Sequence, residues 1–242
     1  MAEDGAAVRF LLDIGTGDVG HAGDDSDFMT HLTETRDYLH RWGCAPFLCD
    51  VGLLHSVYGT EAFQPESSLP ISERATVREV AGGRAEELVF VNCVMMRETF
   101  DAAIARLHGT GLRDALATTD RLPGPEYEIR VRDGDPSDAV TFDAASGGRH
   151  PSLPASVHLT TQELVDLATM LLADWLQQVP HHEASMSEED KPVHHENYTR
   201  DGRLGVFEIP IGGWWCGTSP SLPTQPTFCK GESWRRAQVA AA

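Results

Sequence analysis

The residues with the clearest capacity for chemistry are two histidines, His31 and His55, on stretches that read as neighbouring amphipathic helices. Imidazole nitrogens bind transition metals when rigid elements bring them together with carboxylates and leave positions open for water or substrate. Their separation of 24 residues lets two antiparallel helices with a short connection offer both rings to one point. The plainer alternative is that two helical histidines are accidents of core or surface, and spacing alone does not decide between these readings.

The elements that must position them follow from periodicity. Between Asp27 and Gly43 the apolar residues Phe28, Leu32, Leu39 and Trp42 mark one face of a helix that Gly43 ends. After Ala45-Pro46, the residues Leu48, Val51, Leu54, His55 and Val57 predict a second, more buried helix closing at Tyr58-Gly59-Thr60. Gln64 to Pro70 reads as a loop. Ser72 as N-cap, with Glu73 in the first turn, begins a short helix to about Ala81, and Arg84 to Thr99 reads as a fourth helix. Between Gly109 and Pro154 turn residues accumulate, and only Tyr127 to Val131 and Ala139 to Phe142 look strand-like.

The best-marked helix comes next. Thr160 and Glu163 form a capping box, Leu159 and Leu164 fit a hydrophobic staple, and Leu164, Leu167, Ala168, Leu171, Leu172, Trp175 and Leu176 line one stripe. Pro180 is expected to stop it. The organisation predicted is a mainly α domain over residues 1–180, with 109–158 as a loop-rich insertion carrying β pieces. A partly β, irregular extension over 181–242 is expected to pack on it.

Composition narrows the partners. The 242 residues carry 37 acids against 19 bases, a formal net charge of -18, and 41% hydrophobic residues, enough for a core without disulfide staples. A field of that sign repels nucleic-acid phosphates and anionic bilayers, so neither nucleic acid nor membrane is an expected partner. The cysteines, Cys44, Cys49, Cys93, Cys216 and Cys229, contain no C-x-x-C pair and fit a reduced compartment. Ala6 to Ile14 is apolar but interrupted by Arg9 and Asp13, too short and charged for a signal or spanning segment. The expectation is an intracellular, cytoplasmic protein acting on a small-molecule substrate.

Other motifs carry less. His181-His182 and His194-His195 lie beside an acidic run at Glu188 to Asp190, where adjacent histidines are usually adventitious chelators. Asp13-Ile14-Gly15-Thr16-Gly17 lacks the Lys-Ser/Thr of a phosphate loop and reads as a turn. Ser56 and Ser219 have no G-x-S-x-G elbow, and Trp214-Trp215 reads as buried area near a strand-like run from Arg203 to Ile211.

Around the two histidines the residues resemble a known family. Gly20-His21-Ala22-Gly23, His31 ahead of Tyr38, and Leu53-Leu54-His55-Ser56-Val57-Tyr58-Gly59-Thr60 look like the first half of an HD-superfamily metal-dependent domain. They are more similar still to an uncharacterised HD-like family marked by R-W-G followed by H-S-V-Y-G-T, present as Arg41-Trp42-Gly43 and His55 to Thr60. The resemblance spans roughly residues 18–100 and the helix at 160–178. It implies an HD-like helical bundle in which an early histidine, the histidine of an H-D dyad and a distant aspartate hold a divalent ion such as iron, manganese or zinc. Here that implies His31, His55 and an acid on the late helix. At 100° per residue Asp174 borders the buried stripe while Asp166 points away as a solvated acid, and Leu172-Ala173-Asp174-Trp175-Leu176 is similar to the last-ligand segment of guanosine-tetraphosphate hydrolases. Asp174 is therefore taken as the third ligand. His21 is similar in placement to the histidine preceding the first ligand in that branch, as a donor behind the site, a proton carrier or simply a loop residue. Tyr58 and Thr60 are candidates to orient water or substrate, or else pack and form the turn.

The sequence also departs from the pattern. Ser56 replaces the dyad aspartate, which disfavours a two-metal site. Gly59-Thr60 stand where the hydrolases carry a Glu-Asp pair, and Ala22 to Asp27 holds three acids and no base, an unfavourable entry for a polyphosphate. The function expected is a divalent-metal-dependent hydrolase of a small molecule. The alternatives are a mononuclear or diiron HD-type oxygenase on the same ligands, and a catalytically silent binding module.

Overall fold

A computed structural model of the protein describes residues 4–20, 27–61, 63–108, 126–133, 142–143 and 148–185. Asp27 opens the first histidine-bearing helix: its carboxylate accepts the Thr30 amide at 2.6 Å, satisfying one of the orphan donors of the first turn. That helix, α2, spans Phe28–Arg41 and follows α1 at Asp4–Asp13. Pro46 sits at the start of α3, Pro46–Leu54, where its missing amide hydrogen removes no helical bond. Next come α4 (Arg74–Ala81), α5 (Gly83–Val94), α6 (Arg97–His108) and, after the insertion, α7 (Thr161–Ser185). The described residues are thus mainly helical.

The core gathers α2, α3, α5 and α7, with Leu32, Leu39, Val51, Leu54, Val89 and Leu171 among its buried side chains. α2 packs most extensively on α3 and α7. Gly52 permits this closeness: a Cβ there would stand 2.5 Å from Leu39 Cδ1 and 3.5 Å from Thr35 Cγ2. A side chain there would force the buried Leu39 side chain, or the helix pair itself, to shift.

The β structure is small and peripheral. β1 (Tyr127–Arg130) pairs antiparallel with β4 (Ser156–Leu159), Tyr127 opposite Leu159, and β2 (Phe142–Asp143) pairs with β3 (Gly148–Arg149). Val131, one residue past β1, bridges Met95, which ties this ribbon to the junction between α5 and α6.

Several expectations are corrected. α1 was not anticipated as a helix, although Ala7 and Leu11, four residues apart, are its buried contacts. Arg84 to Thr99 is two helices, because Met95 adopts extended geometry (φ -69°, ψ 147°) to pair with Val131. Ser72 lies in a short 3-10 turn at Ile71–Glu73 and does not cap α4. α7 continues past Pro180 to Ser185, since a proline removes one amide donor and crowds the preceding turn without always ending a helix. The capping box of Thr160 and Glu163 is formed, with the Thr160 amide donating to Glu163 at 2.8 Å. The acidic run, the His194-His195 pair, the strand at 203–211 and the Trp214-Trp215 pair lie outside the described residues.

Candidate metal centre

Three helices each contribute one side chain to a buried cluster. His31 from α2 is 1% exposed, His55 at the end of α3 is 3% exposed, and Asp174 from α7 is 8% exposed. His31 Nε2 lies 3.2 Å from Asp174 Oδ1, His55 Nε2 lies 3.6 Å from the same oxygen, and the two Nε2 atoms are 3.3 Å apart. All three ligand atoms fall within 4.8 Å of one another, so the group can hold a metal ion. The structure thus brings together all three sequence-derived ligand candidates.

Each imidazole is held from behind. His55 Nδ1 donates to the Gly52 carbonyl at 2.7 Å, and His31 Nδ1 lies 2.5 Å from Gln177 Oε1. Both Nε2 atoms consequently face inward, the arrangement in which outer partners orient histidine ligands toward a metal. The carbonyl of His55, at the end of α3, accepts the Asn92 amide at 2.8 Å and the Cys93 thiol at 3.2 Å. Asp174 Oδ1 accepts Gln178 Nε2 at 2.7 Å.

A buried carboxylate facing two inward nitrogens requires positive charge. Burial pushes the Asp174 carboxyl up, but the charge of His55 and the hydrogen bond and charge of His31 outweigh it, with Arg97 acting in the same sense. The net result holds the carboxyl well below the usual range. The donor set of two imidazoles and one carboxylate fits a divalent transition ion.

The remaining candidates are placed differently. Tyr58 is fully buried and donates its hydroxyl to Glu86 at 3.2 Å, while Arg74 and Arg78 pair with the same carboxylate. Burial and the Glu86 charge push the phenol up, so it stays protonated and anchors the corner after His55. Thr60 closes that corner on itself, its amide donating to the Phe63 carbonyl at 2.7 Å, and Gly59 supplies the left-handed turn at φ +74°. Neither hydroxyl has a hydrogen bond to the triad among those described. His21 lies outside the described residues, as do the side chains of His181 and His182. Ser56 is buried beside His55.

Asp166 is the clearest correction. It is 4% exposed, not solvated, because Arg84 of α5 covers it at 3.1 Å and Gln162 donates to it at 2.8 Å. Burial dominates those partners and its carboxyl is raised to about 6. Cys44, Cys49 and Cys93 are buried thiols outside any disulfide, and burial pushes the Cys44 thiol up, which makes it a poor nucleophile. Sequence reasoning missed Gln177, Gln178 and Arg97. The spacing of 174, 177 and 178 places the two glutamines on the helix face of Asp174, a signal that was available.

Comparison with known proteins adds one match. Residues 10–97 match a family model described as a domain of unknown function (DUF6817), a span that includes His31 and His55 but not Asp174. No curated protein and no solved structure matches the chain. No helix among the described residues is long and apolar enough to cross a membrane.

Proposed function

We propose that the chain is a divalent-metal-dependent enzyme built on an HD-like bundle, a hydrolase acting on a small molecule. The observation that carries this reading is the convergence of His31 Nε2, His55 Nε2 and Asp174 Oδ1 from three separate helices within 4.8 Å. Their order along the chain also matches the His, His, Asp order that the HD resemblance implies. A divalent ion held there would supply Lewis acidity and a water of lowered pKa.

The chain's own residues do the rest. His31, His55 and Asp174 provide three ligands and leave further positions open. Gln178 holds the Asp174 oxygen in place, and Asn92 with Cys93 fixes the backbone of His55. Arg97, at the start of α6, acts electrostatically on Asp174 and supplies positive charge that the loop before His31 lacks.

The test is metal analysis of protein purified without a histidine tag, beside His55→Ala. Zinc or manganese near one per chain, lost in the variant with the fold intact, is the expected result. Unchanged metal in His55→Ala overturns the ligand assignment, and absence of metal from wild type overturns the enzyme reading. Iron with an oxygen-dependent spectral change would replace hydrolysis with oxygenase chemistry.

A further inference from the structure

We propose that Glu34 and Gln177 form a lock that fixes the tautomer of His31, so that its Nε2 offers a lone pair to a metal instead of carrying a proton. The proposal rests on reading the cluster as a metal centre. Its basis is that a carboxylate only accepts hydrogen bonds, whereas an amide both donates and accepts.

Gln177 Nε2 lies 2.9 Å from Glu34 Oε2, so the nitrogen end of the amide is the end that must face Glu34. The oxygen end then faces His31 Nδ1 at 2.5 Å and can only accept. His31 Nδ1 therefore carries the proton. A neutral imidazole keeps only that one, so the proton that Nε2 shares with Asp174 at 3.2 Å is the one a metal displaces, and its loss frees the Nε2 lone pair. Gln177 is 2% exposed, so the amide makes these bonds away from competing water.

The two histidines are thus fixed by different means. His55 leans on the Gly52 backbone carbonyl, an acceptor that cannot turn into a donor. His31 leans on a side-chain amide, which could rotate by half a turn and present its NH2 to Nδ1. That rotation would move the imidazole proton to Nε2 and remove the ligand. Glu34 opposes it, because the rotated amide would set oxygen against carboxylate. Glu34 is half-buried and lines an open groove with Leu12, Met29 and Thr33, so a group near the surface sets the state of a buried ligand. Gln177 and Glu34 are positioning residues in this scheme.

The experiment measures zinc affinity of the full chain by competition with a chromophoric chelator, with circular dichroism and melting temperature as controls for fold. Gln177→Leu is expected to weaken binding about 10–100-fold, the usual consequence of losing a partner behind a histidine ligand. Glu34→Gln is expected to weaken it by a smaller factor, up to about tenfold, because the amide is no longer forced into one orientation. The double variant Glu34→Gln/Gln177→Glu exchanges the two groups and places a carboxylate directly against His31 Nδ1. It should bind zinc at least as tightly as wild type, a rescue that a packing role would not produce. Wild-type affinity in Gln177→Leu overturns the lock, as does a double variant no tighter than Glu34→Gln. Should Gln177→Leu fail to fold, the Glu34→Gln and double-variant pair still decides. Failure of wild type to bind zinc, cobalt or manganese overturns the metal reading itself, a result distinct from normal binding that ignores both substitutions.

Discussion

Asp166 and Asp174 stand a little over two turns apart on α7, both buried, and their carboxyls are displaced in opposite directions. Burial raises both. At Asp166 the opposition comes from Gln162 and the guanidinium of Arg84, which is 42% exposed and partly screened, so burial prevails and the carboxyl rises to about 6. At Asp174 two inward-facing imidazoles and Arg97 reverse the balance. Near the start of α7 stands an acid that the protein has already paired with its own cation. At mid-helix two imidazole nitrogens converge on Asp174, and that difference separates a structural ion pair from a candidate site.

The largest expected effect breaks the comparison at the candidate metal site. Asp174→Asn should lower zinc affinity by at least about 100-fold, exceeding the loss typical of an outer partner, while Asp166→Asn leaves affinity unchanged. Chelator competition on both variants checks this, and equal losses would erase the distinction between the two ends. Next comes pH. The folded-state pKa of Asp166 is raised, so the folded form binds its proton more tightly and ionisation destabilises the fold. That penalty is absent below the ordinary aspartate range, grows as pH rises toward about 6 and is complete above it. The stability of Asp166→Asn relative to wild type should therefore improve between pH 4 and pH 7, by up to about 3 kcal/mol, in urea unfolding at each pH. Asp174 has the opposite sign. Its depressed pKa adds stability above the ordinary aspartate range, and that contribution is lost as pH falls.

Gly52→Ala should destabilise by about 1–3 kcal/mol through overpacking against Leu39, and it should also weaken zinc binding, since the strain falls on the contact between the helices that position the two histidines. Thr160→Ala, at the Asp166 end, should cost about 1 kcal/mol from the lost cap with no change in zinc affinity. Thermal melts and zinc titrations on this pair sharpen the contrast, because both perturb helix packing or ends but only one lies between the ligands.

The candidate triad was legible because the family resemblance implied a His, His, Asp set and periodicity supplied positions for it. Two amphipathic helices with a short connection place His31 and His55 together, and the border of the α7 stripe picks out Asp174. Asp166 was misread for a physical reason. A projection of one helix predicts a single buried face, but α7 also has α5 packed on it, and Arg84 reaches over the side that the projection leaves open. The break at Met95 was equally hidden: Met95 and Met96 continue the helical period, and only the distant Val131, just past β1, interrupts it. The assignment of Tyr58 and Thr60 to the chemistry followed from their adjacency to His55. The partner that claims the Tyr58 hydroxyl, Glu86, lies two helices further along the chain. Resemblance and local pattern thus located the candidate ligands, while the partners that decide charge and tautomer came from long-range packing.

The placement of Asp174 more than a hundred residues after His55 has a consequence for assembly. An ion shared by α2, α3 and α7 would behave as a removable cross-link, clasping the end of a long chain loop onto its beginning. Folding and metal supply would then be one equilibrium: at a free-ion level 100 times the dissociation constant, the clasp adds about 2.7 kcal/mol to the folded state. Depleting the ion would remove that contribution, so resistance to unfolding would track the free-ion level.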